Sequence, residues 1–378
     1  MKENSTMMNV GIVGVGCISG IYLKNLHKVF HELHLVGVCD LIRERAEKAQ
    51  KEWNIPKVYD DMHQLFADPE IDIVLNLTRP YQHYEVSKAA LLAGKHVYSE
   101  KPLGADLAEG EELVALAKEK GLIIGGAPDT FMGAGIQTCR KLIEDGVIGD
   151  VVGGRCVMAS HGVESWHPDP DFYYQRGGGP LYDMGPYYIT MLTNLLGGVK
   201  SVYGYAKTSY ETRLITAKPH EGEIIQVNTP THIESFLTFD SGAVVSLLTS
   251  FDIYSTKQTN VEIYGTKGTL YVPDPNYFGG TINSGAKTVN FFNGETKTLE
   301  EIPLVFNYSE NSRCLGLADM AKAIETGRAG RTTYKQTFHV LEIMASVMKS
   351  AESGAPVTLN SHFDKEAPMD PTLPNGVL

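Results

Sequence analysis

Gly14, Gly16 and Asp40 have the residue types and the spacing to hold a dinucleotide. The glycines stand in V-G-I-V-G-V-G-C-I-S, Val10 to Ser19. There a short apolar strand (Asn9 to Val15) runs straight into Ile18 to Phe30, a segment with apolar residues at helical spacing. A strand that turns directly into a helix aims the free N–H groups of the turn, from Gly14 through Cys17 to Ile18, at one point. A pyrophosphate suits that point, because the amides donate to it and the positive end of the helix dipole attracts it. The fingerprint G-x-G-x-x-G asks for a third glycine where this chain has Ser19, a position that serves helix-to-strand packing and accepts a small residue. Asp40 ends a second apolar strand, Leu33 to Asp40, and lies 40 − 19 = 21 residues past Ser19. At that spacing a carboxylate meets the adenosine ribose hydroxyls, and it repels the extra phosphate of NADP. NAD is the expected cofactor. Arg43, early in the next helix, relieves part of that repulsion and leaves NADP possible.

The same residues call for a particular scaffold. Strand and helix keep alternating after Asp40. A charged helix (Ile42 to Trp53) is followed by strands at Val58 to Tyr59 and Ile71 to Leu77, then a helix (Tyr84 to Ala93) stopped by Gly94. A strand at His96 to Ser99, a helix (Leu107 to Lys120) stopped by Gly121 and a strand at Leu122 to Gly125 complete the series. Such alternation predicts a doubly wound parallel sheet. Ligands bind outside the carboxyl ends of its strands, which is where Asp40, Thr78 and Glu100-Lys101-Pro102 fall. His96, at the start of a buried strand, reads as structural.

Beyond Ala127 the pattern changes. A helix (Ile136 to Asp145) and a strand near Asp150 to Ser160 precede a polar loop, His161 to Gly178, and a helix follows Gly177-Gly178-Gly179. From Val199 the chain is rich in β-forming runs, with Thr231 to Phe239 and Ala243 to Phe251 joined at Asp240-Ser241-Gly242, a hairpin signal. This half reads as α+β with a large, mostly antiparallel open sheet. Pro275 to Pro303 gives no clear element, Thr337 to Ser353 is an apolar-periodic helix, and Glu366 to Leu378 reads as a draped tail. The expected organisation is residues 1–127, 128–360 and a tail at 361–378. Loops carry binding residues disproportionately, and Trp166 and His167 in the polar loop offer flat faces to a sugar ring. That loop holds no arginine except Arg176, so an uncharged polyol is expected in preference to a phosphorylated sugar.

Composition excludes several classes. Of 378 residues, 43% are hydrophobic and 21% charged, as in ordinary globular proteins. The formal charge, 33 − 45 = −12, repels nucleic acid and anionic membrane surfaces. Cys17, Cys39, Cys139, Cys156 and Cys314 show no C-x-x-C spacing, which argues for reduced thiols and against a metal site. No signal-peptide pattern or membrane-length apolar stretch is visible, so a cytoplasmic location is expected.

Several motifs together resemble the Gfo/Idh/MocA family: G-V-G-C-I-S, V-C-D at Asp40, N-L-T-R-P at Asn76 to Pro80, G-K-H-V-Y-S-E-K-P-L at Gly94 to Leu103, and G-G-G-P-L-Y-D-M-G-P-Y-Y at Gly177 to Tyr188. The resemblance implies a Rossmann domain followed by an α/β domain whose open sheet serves oligomerisation, as a homodimer or homotetramer. It implies NAD- or NADP-dependent oxidation or reduction of a sugar, glycoside or cyclitol carbinol. Lys101 matches the family's active-site lysine and Asp183 its substrate-site aspartate. Tyr187 stands where many members have a histidine acid/base and some have tyrosine. A tyrosine with a lysine suits carbinol oxidation, because an ammonium stabilises a phenolate. Arg79 and His83 fall where the family places contacts to the edge of the cofactor. A non-catalytic cofactor sensor on the same fold is the competing expectation.

Overall fold

The structure is a computed structural model and describes residues 7–257, 260–279 and 287–378. It divides into two compact units that are not contiguous in sequence. The first comprises the chain up to Met132 with Asn311–Phe338 and Asp370–Leu378, and the second comprises Gly133–Glu310 with His339–Met369. The chain thus first changes unit a few residues past Ala127, and the segment 311–338 and the last residues both count with the first unit.

In the first unit, strands β1 (Met8–Val13), β2 (Leu33–Cys39), β3 (Lys57–Val58), β4 (Ile73–Asn76), β5 (His96–Ser99) and β6 (Ile124–Gly126) form one sheet in the order β3-β2-β1-β4-β5-β6. Every pairing is parallel. This is the dinucleotide-binding order, with the chain reversing direction across the sheet between β1 and β4. Ile73, Val74 and Leu75 are fully buried, as expected of a central parallel strand covered on both faces. The crossover helices are α1 (Ser19–Lys28), α2 (Arg43–Trp53), α3 (Met62–Ala67), α4 (His83–Leu92) and α5 (Leu107–Lys120). Their ends follow local chemistry. The Asp106 side chain caps α5 by accepting from the Glu109 N–H at 3.0 Å, and Gly121, at φ 65°, ends it in the left-handed region. His96 is structural, its Nδ1 accepting the Ile123 N–H at 2.9 Å.

The second unit holds α6 (Ala134–Glu144), β7 (Val151–Ala159), α7 (Gly179–Asp183) and α8 (Gly185–Leu196). These are followed by β8 (Val199–Lys207), β9 (Thr212–Leu214), β10 (Ile224–Gln226), β11 (His232–Phe239), β12 (Val244–Ser250), β13 (Val261–Gly265), β14 (Gly268–Val272), β15 (Thr288–Asn293) and β16 (Thr298–Pro303). After α9 (Leu315–Thr326) in the first unit, α10 (Tyr334–Ser353) leads to β17 (Val357–Thr358). A nine-stranded sheet runs β16-β15-β14-β13-β7-β12-β11-β8-β17, antiparallel except where β12 pairs with β7. Strands β11 and β12 form the hairpin expected around Ser241, with Gly242 at φ 87°. The stretch from Pro275 to Pro303, opaque in sequence, contains the β15–β16 hairpin, although 280–286 lie outside the described residues. The helix expected at Thr337 to Ser353 begins at Tyr334. Among the described residues no helix is long and apolar enough to cross a membrane.

Candidate functional site

The turn after β1 is shaped by close approach. Gly14 has φ 95°, and a Cβ there would lie 2.9 Å from the Leu77 carbonyl oxygen, so only glycine lets the turn sit against the backbone leaving β4. A Cβ on Gly16 would meet nothing within 4 Å. The N–H groups of Gly16, Cys17 and Ile18 take no hydrogen bond among the described residues. Helix α1 starts at Ser19 without a side-chain cap and without an acidic residue in its first turn. Open space, unused donors and an uncapped helix start fit a pyrophosphate. Asp40 closes the turn from the end of β2, its Oδ2 accepting the Val15 N–H at 2.6 Å and its Oδ1 the Ile42 N–H at 2.8 Å. Arg43 is paired with Glu47 at 2.8 Å and with Asp60.

The ends of β4 and β5 are joined by one buried histidine. His83 Nδ1 lies 2.8 Å from the Pro102 carbonyl and Nε2 lies 3.0 Å from the Thr78 carbonyl. Burial pulls this imidazole below its ordinary range, and the two carbonyls only partly offset that. His83 therefore sits beneath the loops as a clamp and presents no ring edge to the open end of the sheet. Buried Asn76 donates to the His83 carbonyl and to Ser87 Oγ, both at 3.1 Å, and its Oδ1 accepts the Thr78 hydroxyl at 2.6 Å. Arg79 reaches the Tyr81 hydroxyl at 3.5 Å.

Glu100 is buried. Its Oε1 accepts the Tyr22 hydroxyl at 2.6 Å and its Oε2 the Lys101 N–H at 3.0 Å, so the carboxylate fixes the main chain at Lys101 from below. Asp129 lies in the same acidic region and accepts the Gly316 N–H at 3.0 Å. Burial pushes its carboxyl up to about 6. The Gly316 N–H and Arg313 oppose the shift, and Glu100 adds to it. Sequence reading missed Tyr22, Asn76 and Asp129, since each looks like an ordinary residue of a helix or strand end.

In the second unit Asp183 ends α7 and Tyr187 lies in α8, where it is 7% exposed. Met184, next to Asp183, is the N-cap residue of α8. Trp166 is 63% exposed, whereas neighbouring His167 is buried against Tyr173 and Phe172, with ring centroids 5.1 and 5.6 Å away. His167 Nδ1 accepts the Asp169 N–H at 3.0 Å. Among the described residues no group of three or more histidine, cysteine or acidic side chains is placed to hold a metal ion.

Comparisons with known proteins agree with this architecture. Residues 8–126 match the GFO_IDH_MocA profile, described as an oxidoreductase family with an NAD-binding Rossmann fold, and residues 136–271 match the GFO/IDH/MocA C-terminal domain. Bovine trans-1,2-dihydrobenzene-1,2-diol dehydrogenase is 29% identical over 268 residues, 70% of this chain and 74% of that protein. The scyllo-inositol 2-dehydrogenase (NADP(+)) IolW of Bacillus subtilis is 23% identical over 371 residues, 93% of this chain and 96% of its own. The apo structure of levoglucosan dehydrogenase superposes with a TM-score of 0.79 at 20% identity, covering 94% of this chain and 99% of that one, which establishes likeness of fold. With both domain profiles matched in order and the glycine turn built to receive a dinucleotide, the chain belongs to the GFO/IDH/MocA oxidoreductase family, whose N-terminal domain is an NAD-binding Rossmann fold.

Proposed function

We propose that the protein transfers a hydride between a nicotinamide dinucleotide, NAD by preference, and a carbinol or ketone carbon of an uncharged sugar, glycoside or cyclitol. The observation that carries this reading is the turn from Gly14 to Ile18, with open space over Gly16, unused N–H donors at Gly16, Cys17 and Ile18, the Gly14 N–H donating to the Cys39 carbonyl at 2.9 Å, and Asp40 at its edge. Gly14, Gly16, Cys17 and Ile18 would hold the pyrophosphate and Asp40 the ribose hydroxyls. Thr78 and Arg79 would line the loop after β4. His83 and Glu100 would hold the backbone of Thr78, Lys101 and Pro102 in place. When bound, the nicotinamide supplies the hydride acceptor or donor.

The protein's share of the chemistry is a proton path. In oxidation the carbinol hydroxyl loses its proton as the hydride leaves, and a base must reach that oxygen. Tyr187 is assigned that proton, Lys101 the positive charge that favours a phenolate, and Asp183 the orientation of a neighbouring hydroxyl or of the lysine. Trp166 and His167 are assigned to the substrate's ring. The names of the relatives support this substrate class, since both act on ring carbons that bear hydroxyl groups. The test is a panel of neutral sugars, glycosides and inositols, read as growth of absorbance at roughly 340 nm, the band of reduced nicotinamide. Turnover of at least one is expected. NAD binding with no turnover of any would make the chain a cofactor-sensing regulator and overturn the reading.

A second copy of the chain is the proposed partner of the open sheet. Phe236 on β11 lies opposite Tyr203 on β8, and both are about half exposed on the same face as Tyr205. Adjacent exposed aromatics of this kind favour a homodimer or a homotetramer. A cytoplasmic setting is proposed from the thiols, which are all free, four of them buried.

A further inference from the structure

The loop that carries Trp166 and His167 is bound along its length to the segment holding the β9–β10 hairpin. The Thr216 and Ala217 N–H groups donate to the Glu164 carbonyl at 3.0 and 3.1 Å, and the Asn228 N–H donates to the Tyr174 carbonyl at 2.8 Å. Gln175 Nε2 donates to the Gln226 carbonyl at 3.0 Å. Beneath these contacts Val163, Tyr174, Ile215, Ile225 and Phe251 form a small apolar core of their own.

Arg213, 5% exposed, stands at the centre of this assembly. Its Nη1 donates to Glu164 Oε1 at 3.1 Å, and its Nη2 donates to the Phe251 carbonyl at 3.0 Å and to Asp252 Oδ1. Glu164 Oε2 accepts the Val163 N–H at 2.9 Å and the Tyr174 hydroxyl, while Asp252 Oδ2 accepts the Thr231 hydroxyl at 2.8 Å. One guanidinium therefore ties the loop, the hairpin and the end of β12 together. A planar fork can serve three acceptors at fixed angles, which a lysine ammonium cannot do from the same stem. Removing it leaves two carboxylates buried without their counter-charge. The Trp166 and His167 N–H groups both donate to the Val163 carbonyl, next to Glu164, so what holds Glu164 also sets where these two rings stand.

We propose that Arg213 is a specificity-determining positioning residue, clamping Glu164 and Asp252 so that the loop presents the exposed Trp166, backed by the buried His167 ring 5.5 Å away, to the ring of a neutral polyol. The proposal rests on the reading that this loop meets the substrate. The test compares parent, Arg213→Lys and Glu164→Gln as full-length proteins, Arg213→Lys keeping the buried charge and so the fold. Hydrogen exchange over 161–178 is read without substrate, and KM, kcat and NAD affinity are read on whichever polyol the parent oxidises. Faster exchange confined to 161–178 and 211–228 is expected, together with a KM raised about tenfold or more, a kcat within about threefold and unchanged NAD affinity. Unchanged exchange in both variants would overturn the clamp. Faster exchange with an unchanged KM would overturn its role in specificity and leave a merely structural arginine. A parent protein that oxidises no polyol defeats the proposed function first, a failure seen before any variant is made.

Discussion

Asp40 closes the glycine turn: its Oδ2 accepts the Val15 N–H at 2.6 Å, so the carboxylate at the end of β2 is fixed to the backbone of the turn after β1. A side chain held this way has a settled position before any ligand arrives. Its other oxygen accepts the Ile42 N–H at 2.8 Å, so the backbone holds both ends of the carboxylate.

Cofactor choice follows from that fixity. Arg43, the nearby cation that could welcome a 2′-phosphate, is already engaged by Glu47 and Asp60. NAD should bind at least about tenfold tighter than NADP, the size of a like-charge clash in a partly screened site. A Glu47→Gln/Asp60→Asn double variant frees Arg43 and should narrow the gap, whereas Asp40→Ala should narrow it further. Dissociation constants by calorimetry for both cofactors check this, and tighter NADP binding by the parent would refute the assignment of Asp40.

Tyr187→Phe should keep the fold and NAD affinity while lowering kcat by about 10² to 10⁴, the usual worth of a positioned acid/base. Lys101→Ala should cost at least as much. The double variant should be little worse than either, because groups that act as one unit are strongly non-additive. Steady-state kinetics on the best neutral substrate decide the matter, and a near-normal kcat for Tyr187→Phe would send the proton elsewhere.

Asp129 ties stability to pH. Its carboxyl is pushed up to about 6 in the folded protein by burial, above its value in the unfolded chain, so folding favours the protonated form. The stability this contributes is fully present below about pH 4 and is lost as pH rises through about 6. Asp129→Asn keeps an acceptor for the Gly316 N–H and never ionises. It should match the parent near pH 4 and exceed it above pH 7 by up to the order of 3 kcal/mol, the worth of a shift of about two units. Denaturant melts across this range give the answer, and a gap that does not change with pH would show that Asp129 carries no such shift.

Phe236→Glu places a charge beside Tyr203 on the exposed face of the sheet. Sedimentation velocity should show the parent as the proposed dimer or tetramer and the variant as smaller species with the circular dichroism of the fold kept, and a monomeric parent would remove the proposed contact altogether. An unchanged sedimentation coefficient would move the subunit contact to another surface.

Much of the first unit was legible because its signals are local. The glycine turn and helix Leu107–Lys120 with its glycine stop depend on residues within a few positions of one another, and Asp40 stands at a fixed spacing from that turn at the end of the next apolar strand. What stayed hidden depends on distant partners. Glu100 reads as one residue of a motif, and only folding shows it gripping Tyr22, seventy-eight positions away. His83 looked like a rim residue after β4, and its burial between two carbonyls is a tertiary fact. Helix α9 is buried almost all round its first turns, so it lacks the polar face that marks a helix in sequence. Strand β16 has no buried residue to show a period of two. Arg213, in a three-residue strand, gave no sign that three segments meet on it.

The central claim is hydride transfer from a carbinol carbon, and isotope transfer tests it most directly. A neutral polyol found active in the panel is prepared with deuterium on each ring carbon in turn, incubated with enzyme and NAD, and the reduced cofactor is examined by mass and proton resonance. One labelled position should deliver a single deuterium to one face of the nicotinamide and slow the reaction by a factor of about 2 or more if hydride transfer limits kcat/KM, since the hydride chemistry is the cofactor's own. Reduced nicotinamide that carries no label from any position would contradict the account.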